Sequence, residues 1–410
     1  MAAGALLAFF LFLLARRLFA APQVAYALGG LVLVDGAMFA QSRIGMNDVY
    51  AGAGIVAGWY FVVAALSRDA RRRWFDLLLA GIALGLALAA KWVAGPAILA
   101  VGLVSLFVTL RAFVDGRPGT GGPLDLLARR GLNALYLAAC FVAVPLAVYL
   151  VSYVPWLGLG HGITSSDNGT WSLLELQRQM YSYHSGLTSP HPAGSPWWAW
   201  PLDLKPVYWA YEQASPTTST YIYDAGNLIT WWAAIPAMVW LVWLAVRTRA
   251  WNLAIVVLAF ATQYVEWIPV TRVLFQYHFF TALPFYLVAL SAALGVLWER
   301  ADHRRWVDGV VAVGVFVAGV VVFAWLLPEA TPVWLFLAVA GCAAFWSSPA
   351  RRPQLAGALV AGVLVGGALW FAWFYPWLSA LPVPGTLANY YFWLPTWQYG
   401  CQFYPSFRCT

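Results

Sequence analysis

Runs of about 20 apolar residues, each long enough to cross a bilayer as one helix, recur along the chain and constrain its fold more than any other feature. They can be drawn at about 4–20, 24–40, 50–66, 75–91, 95–111, 132–154, 227–246, 252–266, 274–298, 307–327, 332–347 and 354–375, which gives about twelve spans. Inside lipid an open strand leaves backbone groups unsatisfied, so segments of this length are helices. Composition agrees: 62% of residues are hydrophobic and 10% charged, against roughly a quarter charged in a soluble globule. The fold class is an all-α polytopic membrane protein. Met1 is followed directly by an apolar run, with no basic start and no small-residue cleavage site of a signal peptide.

Basic residues orient the spans. Arg16/Arg17, Arg68/Arg71/Arg72/Arg73, Arg111/Arg117/Arg129/Arg130, Arg247/Arg249, Arg300/Arg304/Arg305 and Arg351/Arg352 fall in alternate loops, which the positive-inside rule makes cytoplasmic. The net charge of +7 is therefore a topology signal, and nucleic acid is not needed to explain it. The expected organisation is a transmembrane module over 1–154, an extracytoplasmic loop over 155–226, further membrane helices over 227–375 and an extracytoplasmic tail over 376–410.

Arg43, Lys91, Arg178, Lys205, Arg272 and Arg408 run against that trend, lying on or near the outer side. Lys91 follows the apolar run "IALGLALAA", where a cation is costly unless it snorkels to the headgroups or meets an anion. Arg43 and Asp48 occur in "FAQSRIGMNDVYAG". Five residues apart, they do not stack on one continuous helix; they either pair structurally or, across a helix break, aim at one cavity. Asp35, inside a span, reads either as a polar helix contact, the favoured reading, or as part of the same site.

These residues carry a resemblance. "VDGAMFAQSRIGMNDVY" followed by "GIALGLALAAKWVAG", then "LQRQMYSYHSGLTSPHPAGSPWWAWPL", "GNLITWWAAIP" and "TRVLFQYHFFTALPF" resemble ordered sequence blocks of the dolichyl-phosphate-mannose protein mannosyltransferases and their bacterial polyprenyl-phosphate relatives. That family belongs to the C-type glycosyltransferase superfamily, so the resemblance implies that fold. It also implies transfer of mannose from a polyprenyl-phosphate donor to Ser/Thr hydroxyls of exported proteins at the outer membrane face. The family's first helix and its first outer loop, with an Asp-Glu pair, have no counterpart here, and Leu228 replaces a usual proline. A chain starting at the family's second helix is therefore expected to be truncated and to transfer sugar poorly by itself.

The implied chemistry suits the exceptional residues. The leaving group is an anionic phosphate, and fixed cations stabilise charge that grows as the glycosidic bond breaks. Arg43, Lys91 and, by motif match, Arg272 are the expected phosphate ligands. Asp48 is the candidate catalytic carboxylate within this chain, supporting a base that the resemblance assigns to the missing loop. A divalent metal stays open, and no metal ligands are assigned. Expected partners are membrane lipid, polyprenyl-phosphate-mannose and a secreted protein acceptor. Transfer of another sugar to a lipid or cell-wall glycan, a non-catalytic homologue and a transporter are the alternatives. A transporter, however, would gather charge at the bilayer midplane and carry paired broken helices.

The outer loop is rigid and aromatic, and ordering it costs little entropy. Trp197, Trp198 and Trp200 form either an interfacial belt or a donor- or acceptor-binding surface. His184 and His191, seven apart among prolines, make a poor zinc signature; they are either structural or hydrogen-bond a sugar or acceptor. Tyr277 and His278, at the start of an apolar run, either pack or bind. Asn168 to Thr170 form a glycosylation sequon. Cys401 and Cys409 flank seven tail residues that an oxidising compartment would let them close into a disulfide ring.

Overall fold

The computed structural model describes residues 1–66, 70–114, 132–160, 173–187, 189, 191–302, 352–398, 401–402 and 408–409. Within them the chain is mostly helical: α1 Ala2–Leu18, α2 Pro22–Leu33, α3 Gly36–Ile44, α4 Asn47–Leu66, α5 Ala70–Ala90, α6 Gly95–Val114, α7 Leu132–Ala138 and α8 Val144–Val151. There follow α9 Val154–Gly158, α10 Leu173–Gly186, α11 Leu228–Thr248, α12 Trp251–Tyr264, α13 Leu283–Arg300 and α14 Arg352–Leu378. Among the described residues α4, α5, α6, α11, α13 and α14 are long and apolar enough to span. α7 to α9, joined through a π turn at Ala139–Ala143, make a seventh span, Ala134–Gly158, and α2 with α3 adds a span bent by 62°. The expected spans at 307–327 and 332–347, and the sequon, lie outside the described residues.

The bend in the second expected span has an identifiable cause. Asp35 leaves the helical conformation and caps α3, its Oδ1 accepting from Met38 N at 2.8 Å, while Oδ2 accepts from Trp231 Nε1 at 2.6 Å. Asp35 is thus the helix contact the sequence suggests. Asn227 makes a parallel tie, capping α11 and donating through Nδ2 to Val34 O at 2.8 Å and Gly367 O at 2.9 Å. These contacts lock α2, α11 and α14 together at the end of the bundle opposite the arginine-bearing helix ends. The apolar run from 274 differs from expectation: it is α-helical only from Leu283, because Pro284 sits in the first turn, where a missing N–H is harmless. Tyr277 and His278 therefore lie in a 3₁₀ turn, Gln276–Thr281, ahead of α13.

α4 and α5 pack through glycine. A Cβ at Gly54 would lie 2.5 Å from Ala83 O and 2.8 Å from Ala87 Cβ, so only glycine allows this approach. In an exposed helix Gly→Ala would stabilise by up to about 1 kcal/mol. Here Gly54→Ala is expected to destabilise by about 1–3 kcal/mol through overpacking. A lowered thermal midpoint in detergent checks this; a raised one would place α5 elsewhere.

The segment after α10 adds an element the all-α reading did not contain. β1 (Tyr208–Ser215) and β2 (Thr218–Tyr223) form an antiparallel hairpin, and β3 (Val383–Pro384) pairs with β2 in the order β1-β2-β3. Its inner side is rooted in an aromatic cluster of Tyr223, Trp370, Phe374, Trp377, Tyr391 and Trp397 at the end of α14 and in the tail. Tyr221 stacks on Trp377 at 4.3 Å.

In the tail, β4 (Cys401–Gln402) pairs antiparallel with β5 (Arg408–Cys409), and the backbone of Cys401 stands opposite Cys409. Directly opposed residues have Cα atoms about 4.5–5.5 Å apart, within the span a disulfide bridges. The bridge read from the sequence is accordingly expected as a linked peptide in a non-reduced digest. Two thiols alkylated without prior reduction would refute it.

Candidate active site

Three chain segments far apart in sequence meet at one end of the bundle. α3 ends at Arg43 and Ile44, where Gly45 turns left-handed with φ 70° and its N–H and that of Met46 return to Gln41 O. α4 starts two residues later, so Asp48 falls in its first turn, where the helix dipole favours an anion. α5 ends at Ala90, leaving Lys91 extended. The glycine-mediated contact of α4 with α5 brings Lys91 Nζ to 2.6 Å from Asp48 Oδ1. Asp48 is 1% exposed, whereas the Lys91 side chain keeps 21% exposure, so the cation faces an opening and the carboxylate lies beneath it. Asp48 Oδ2 is buried without a hydrogen-bond partner among the described residues.

A structural Arg43–Asp48 bridge, one of the two sequence readings, is not formed. The turn at Gly45 separates the two side chains, and Asp48 takes Lys91 as its partner. Arg43 Nη1 is buried and makes no hydrogen bond among the described residues.

The second cation comes from the loop before the 3₁₀ turn. Arg272 Nη2 lies 3.2 Å from His278 Nε2, and its guanidinium sits 5.9 Å over Trp267. A guanidinium only donates, so His278 Nε2 accepts and the ring proton is on Nδ1, donating to Phe275 O at 2.9 Å. Burial, reinforced by the charges of Lys91 and Arg272, pushes the His278 pKa well below the ordinary imidazole value. His278 is thus a neutral prop for Arg272. Tyr277 links the two cations: its ring is 5.5 Å below Lys91 Nζ and 4.5 Å from the His278 ring.

The other expected residues divide. His184, exposed on α10, is lowered by partial burial and then by Arg272 and Lys91, so it shares the site's field. His191 is turned to the loop itself, its Nδ1 accepting from Ala193 N at 3.1 Å and its ring edge-on to Phe275 at 5.2 Å. Trp197 packs on Tyr264 at 5.8 Å, and Trp198 is 48% exposed. Trp200 is fully buried, donates to Ser195 Oγ at 3.2 Å and stacks on His278 at 5.9 Å. Lys205 is structural: its Nζ donates to Gln398 O at 2.7 Å. Arg178 makes a long exposed contact with Glu175 at 3.9 Å, worth little.

Three polar groups under the site escaped the sequence reading. Glu266, in a 3₁₀ turn after α12, feels the charge of Lys91, but burial dominates and pushes its carboxyl up to about 8. Asp203 accepts from Gly226 N and from Gln276 Nε2, and Gln276 Oε1 accepts from Lys205 N at 3.2 Å. These bonds clamp the residue next to Tyr277. Asp224 accepts from Gln41 Nε2 with both oxygens at 3.1 Å. Burial raises both aspartates well above the carboxylate range, and neighbouring carboxylates add to the rise. Among the described residues no cluster of His, Cys, Asp and Glu forms a metal cage.

An apolar groove of about 430 Å³ between α6 and α12 starts beside the site. Pro96, Leu99, Leu103, Phe107, Leu258 and Thr262 line it. Pro96 is five residues after Lys91, and Thr262 is four before Glu266, so the groove leads from the cations into the bundle's apolar flank.

Known proteins match the chain in sequence and in fold. The sequence pattern described as dolichyl-phosphate-mannose-protein mannosyltransferase matches residues 1–156, and that described as the C-terminal four-transmembrane region of protein-O-mannosyltransferase matches 170–397. A polyprenol-phosphate-mannose–protein mannosyltransferase of Mycolicibacterium smegmatis is 26% identical over 368 residues, covering 78% of this chain and 70% of its own. One from Corynebacterium glutamicum is 27% identical over 349 residues, covering 72% and 65%. In fold, the chain is similar to the S. cerevisiae protein O-mannosyltransferase Pmt1-Pmt2 complex, solved with its sugar donor, at a TM-score of 0.67 and 14% identity, covering 97% of this chain and 80% of that one. ArnT from Cupriavidus metallidurans, solved with undecaprenyl phosphate, gives 0.52 and 16%, covering 90% and 60%.

Proposed function

The chain belongs to the dolichyl-phosphate-mannose-protein mannosyltransferase family, and from that premise we propose that it transfers mannose from polyprenyl-phosphate-mannose to Ser/Thr hydroxyls of exported proteins at the outer face of the membrane. The observation that carries this reading is the convergence of Lys91 and Arg272 around Tyr277, at the bundle end away from the arginine-bearing termini, beside a lipid-sized groove. Two cations facing an opening suit a phosphate, and the adjoining groove suits an isoprenoid tail.

In the proposed reaction the acceptor oxygen attacks the anomeric carbon, the bond from that carbon to the phosphate oxygen breaks, and the phosphate keeps the electron pair. Lys91 and Arg272 stabilise the growing phosphate charge, Arg272 through a planar fork and Lys91 as a point charge. Arg43, with Nη1 unsatisfied among the described residues, is the third ligand. Asp48 orients Lys91 with Oδ1. In place of the supporting role read from the sequence it is assigned the base, its Oδ2, buried beneath Lys91, taking the acceptor's proton once Lys91 turns to the donor phosphate. Transfer by this chain alone is therefore expected, instead of the poor transfer read from the sequence. Tyr277 and His278 hold the two cations in register, and His184 faces the sugar or acceptor. His191, Trp197 and Trp200 stiffen the loop, with Trp198 at its exposed rim. The loop 155–226 and the tail 376–410 are assigned to the outer side, with 1–154 and 227–375 as the membrane modules.

Glu266 sets a pH limit on donor binding. Its carboxyl is neutral below about 8 and charged above it, and a carboxylate there opposes a phosphate at Lys91. Donor affinity is expected to fall by roughly threefold to tenfold as pH rises through that value, the size of a partly screened charge interaction. Glu266→Gln should be flat over the same range; an equal fall in the variant would assign the titration elsewhere.

The experiment for the function itself is incubation of the purified full chain with labelled polyprenyl-phosphate-mannose and a Ser/Thr peptide. Label on the peptide, released by β-elimination, is the expected result. Label retained in lipid throughout would reject the reading.

A further inference from the structure

The three-stranded sheet has unequal edges. One is closed by β3, two residues long with Pro384 lacking an N–H, which are the features that blunt an edge. The other is β1, eight residues "YWAYEQAS" with no proline, no lysine and one charge, Glu212. Its residues Ala210 to Ala214 are all exposed, and among the described residues β1 pairs only with β2. Among the described residues the outer row of N–H and C=O groups from Ala210 to Ala214 is therefore an open template for another strand.

This edge begins at the candidate active site. The β1–β2 register skips between Tyr208 and Ala210, so Trp209 is left out of the ladder. Such an irregularity re-aims a side chain, and the Trp209 ring lies 5.1 Å from Tyr277, the ring beneath Lys91. Along one face Tyr211, 62% exposed, pairs with Tyr221 across the hairpin at 5.3 Å and offers an aromatic surface.

We propose that the free edge of β1 docks the acceptor polypeptide, an extended Ser/Thr-containing segment that adds beside it through main-chain hydrogen bonds and passes its hydroxyl residue by Trp209 into the site. This rests on the mannosyl-transfer reading. At about 3.3 Å per residue, eight residues span about 26 Å, room for a segment of similar length. Recognition through the main chain reads extension more than sequence, and β-branched threonine fits a pleated strand. The partner is thus an unfolded exported chain rather than a folded domain.

The test uses the full chain in detergent and a fluorescent Ser/Thr-rich nonapeptide, with binding read by anisotropy. Nine versions of the peptide each carry one N-methylated amide. A strand presents alternate N–H groups to its neighbour, so methylation at every second position is expected to weaken binding about tenfold per lost hydrogen bond, with little change between. Binding without that two-residue alternation, or no binding of the unmodified peptide, overturns the proposal. Labelled donor added to the same samples keeps the two claims apart. Alternating binding without mannose transfer rejects the transferase reading and leaves the docking edge standing. Transfer without alternation does the reverse.

Discussion

Asp48→Asn is expected to lower the turnover number for mannose transfer by about 10²–10⁴-fold, the usual contribution of a positioned general base. The amide keeps the shape but removes the proton acceptor. Donor affinity should hold or tighten, because the substitution removes a negative charge 2.6 Å from Lys91 Nζ. That split separates the role from a structural one: a residue that merely held Lys91 would lose donor binding with turnover. Single-turnover transfer and donor binding on the same preparation measure it, and a turnover loss under tenfold would remove Asp48 from the chemistry.

The second large effect belongs to the cations. Charge-assisted hydrogen bonds are worth about 1.5–3 kcal/mol, so Arg272→Ala should weaken donor binding by about 10- to 100-fold, with a comparable further loss in turnover. Arg272→Lys keeps the charge without the fork and should recover only part of both. Lys91→Ala should act similarly on binding but also destabilise the protein by about 3–5 kcal/mol, because it leaves Asp48 charged, buried and alone. Lys91→Ala/Asp48→Asn should regain that stability without regaining activity, as read by thermal unfolding beside transfer. Full donor affinity in Arg272→Ala would show that the phosphate lies elsewhere.

Much of this was legible in the sequence because a bilayer constrains residues strongly. Span length gives the helices, and a lysine at a helix end away from the arginine clusters identifies Lys91. Its partner was not legible. Asp48 stands 43 residues earlier, and nothing local distinguishes it from a mate for Arg43; the glycines that bring α4 against α5 decide it. Glu266 lies in "YVEWIPVT", an apolar run in which one carboxylate is the signal, but its burial beside Lys91 is set by the fold and not by its sequence neighbours. Asp203 and Asp224 looked like ordinary polar residues of an aqueous loop and Gln276 like a lone amide at the start of an apolar run, and only the folded chain buries them together. The hairpin did have a signature: "YWAYEQAS" and "TSTYIY" are rich in Tyr, Trp, Thr and Ile and are separated by Pro216 and Thr217. The dominance of apolar helices in the rest of the chain hid it.

Whether the site holds a lipid-linked phosphate is read by equilibrium binding of two lipids to the unmodified chain in detergent. One is polyprenyl phosphate; the other is the same polyprenol without its phosphate. If Lys91 and Arg272 grip the phosphate while the groove between α6 and α12 holds the tail, the phosphate should bind at least about 100-fold more tightly, the size of two charge-assisted contacts. That preference should disappear in Lys91→Ala/Asp48→Asn/Arg272→Ala. Equal affinity of the unmodified chain for the two lipids would contradict the account.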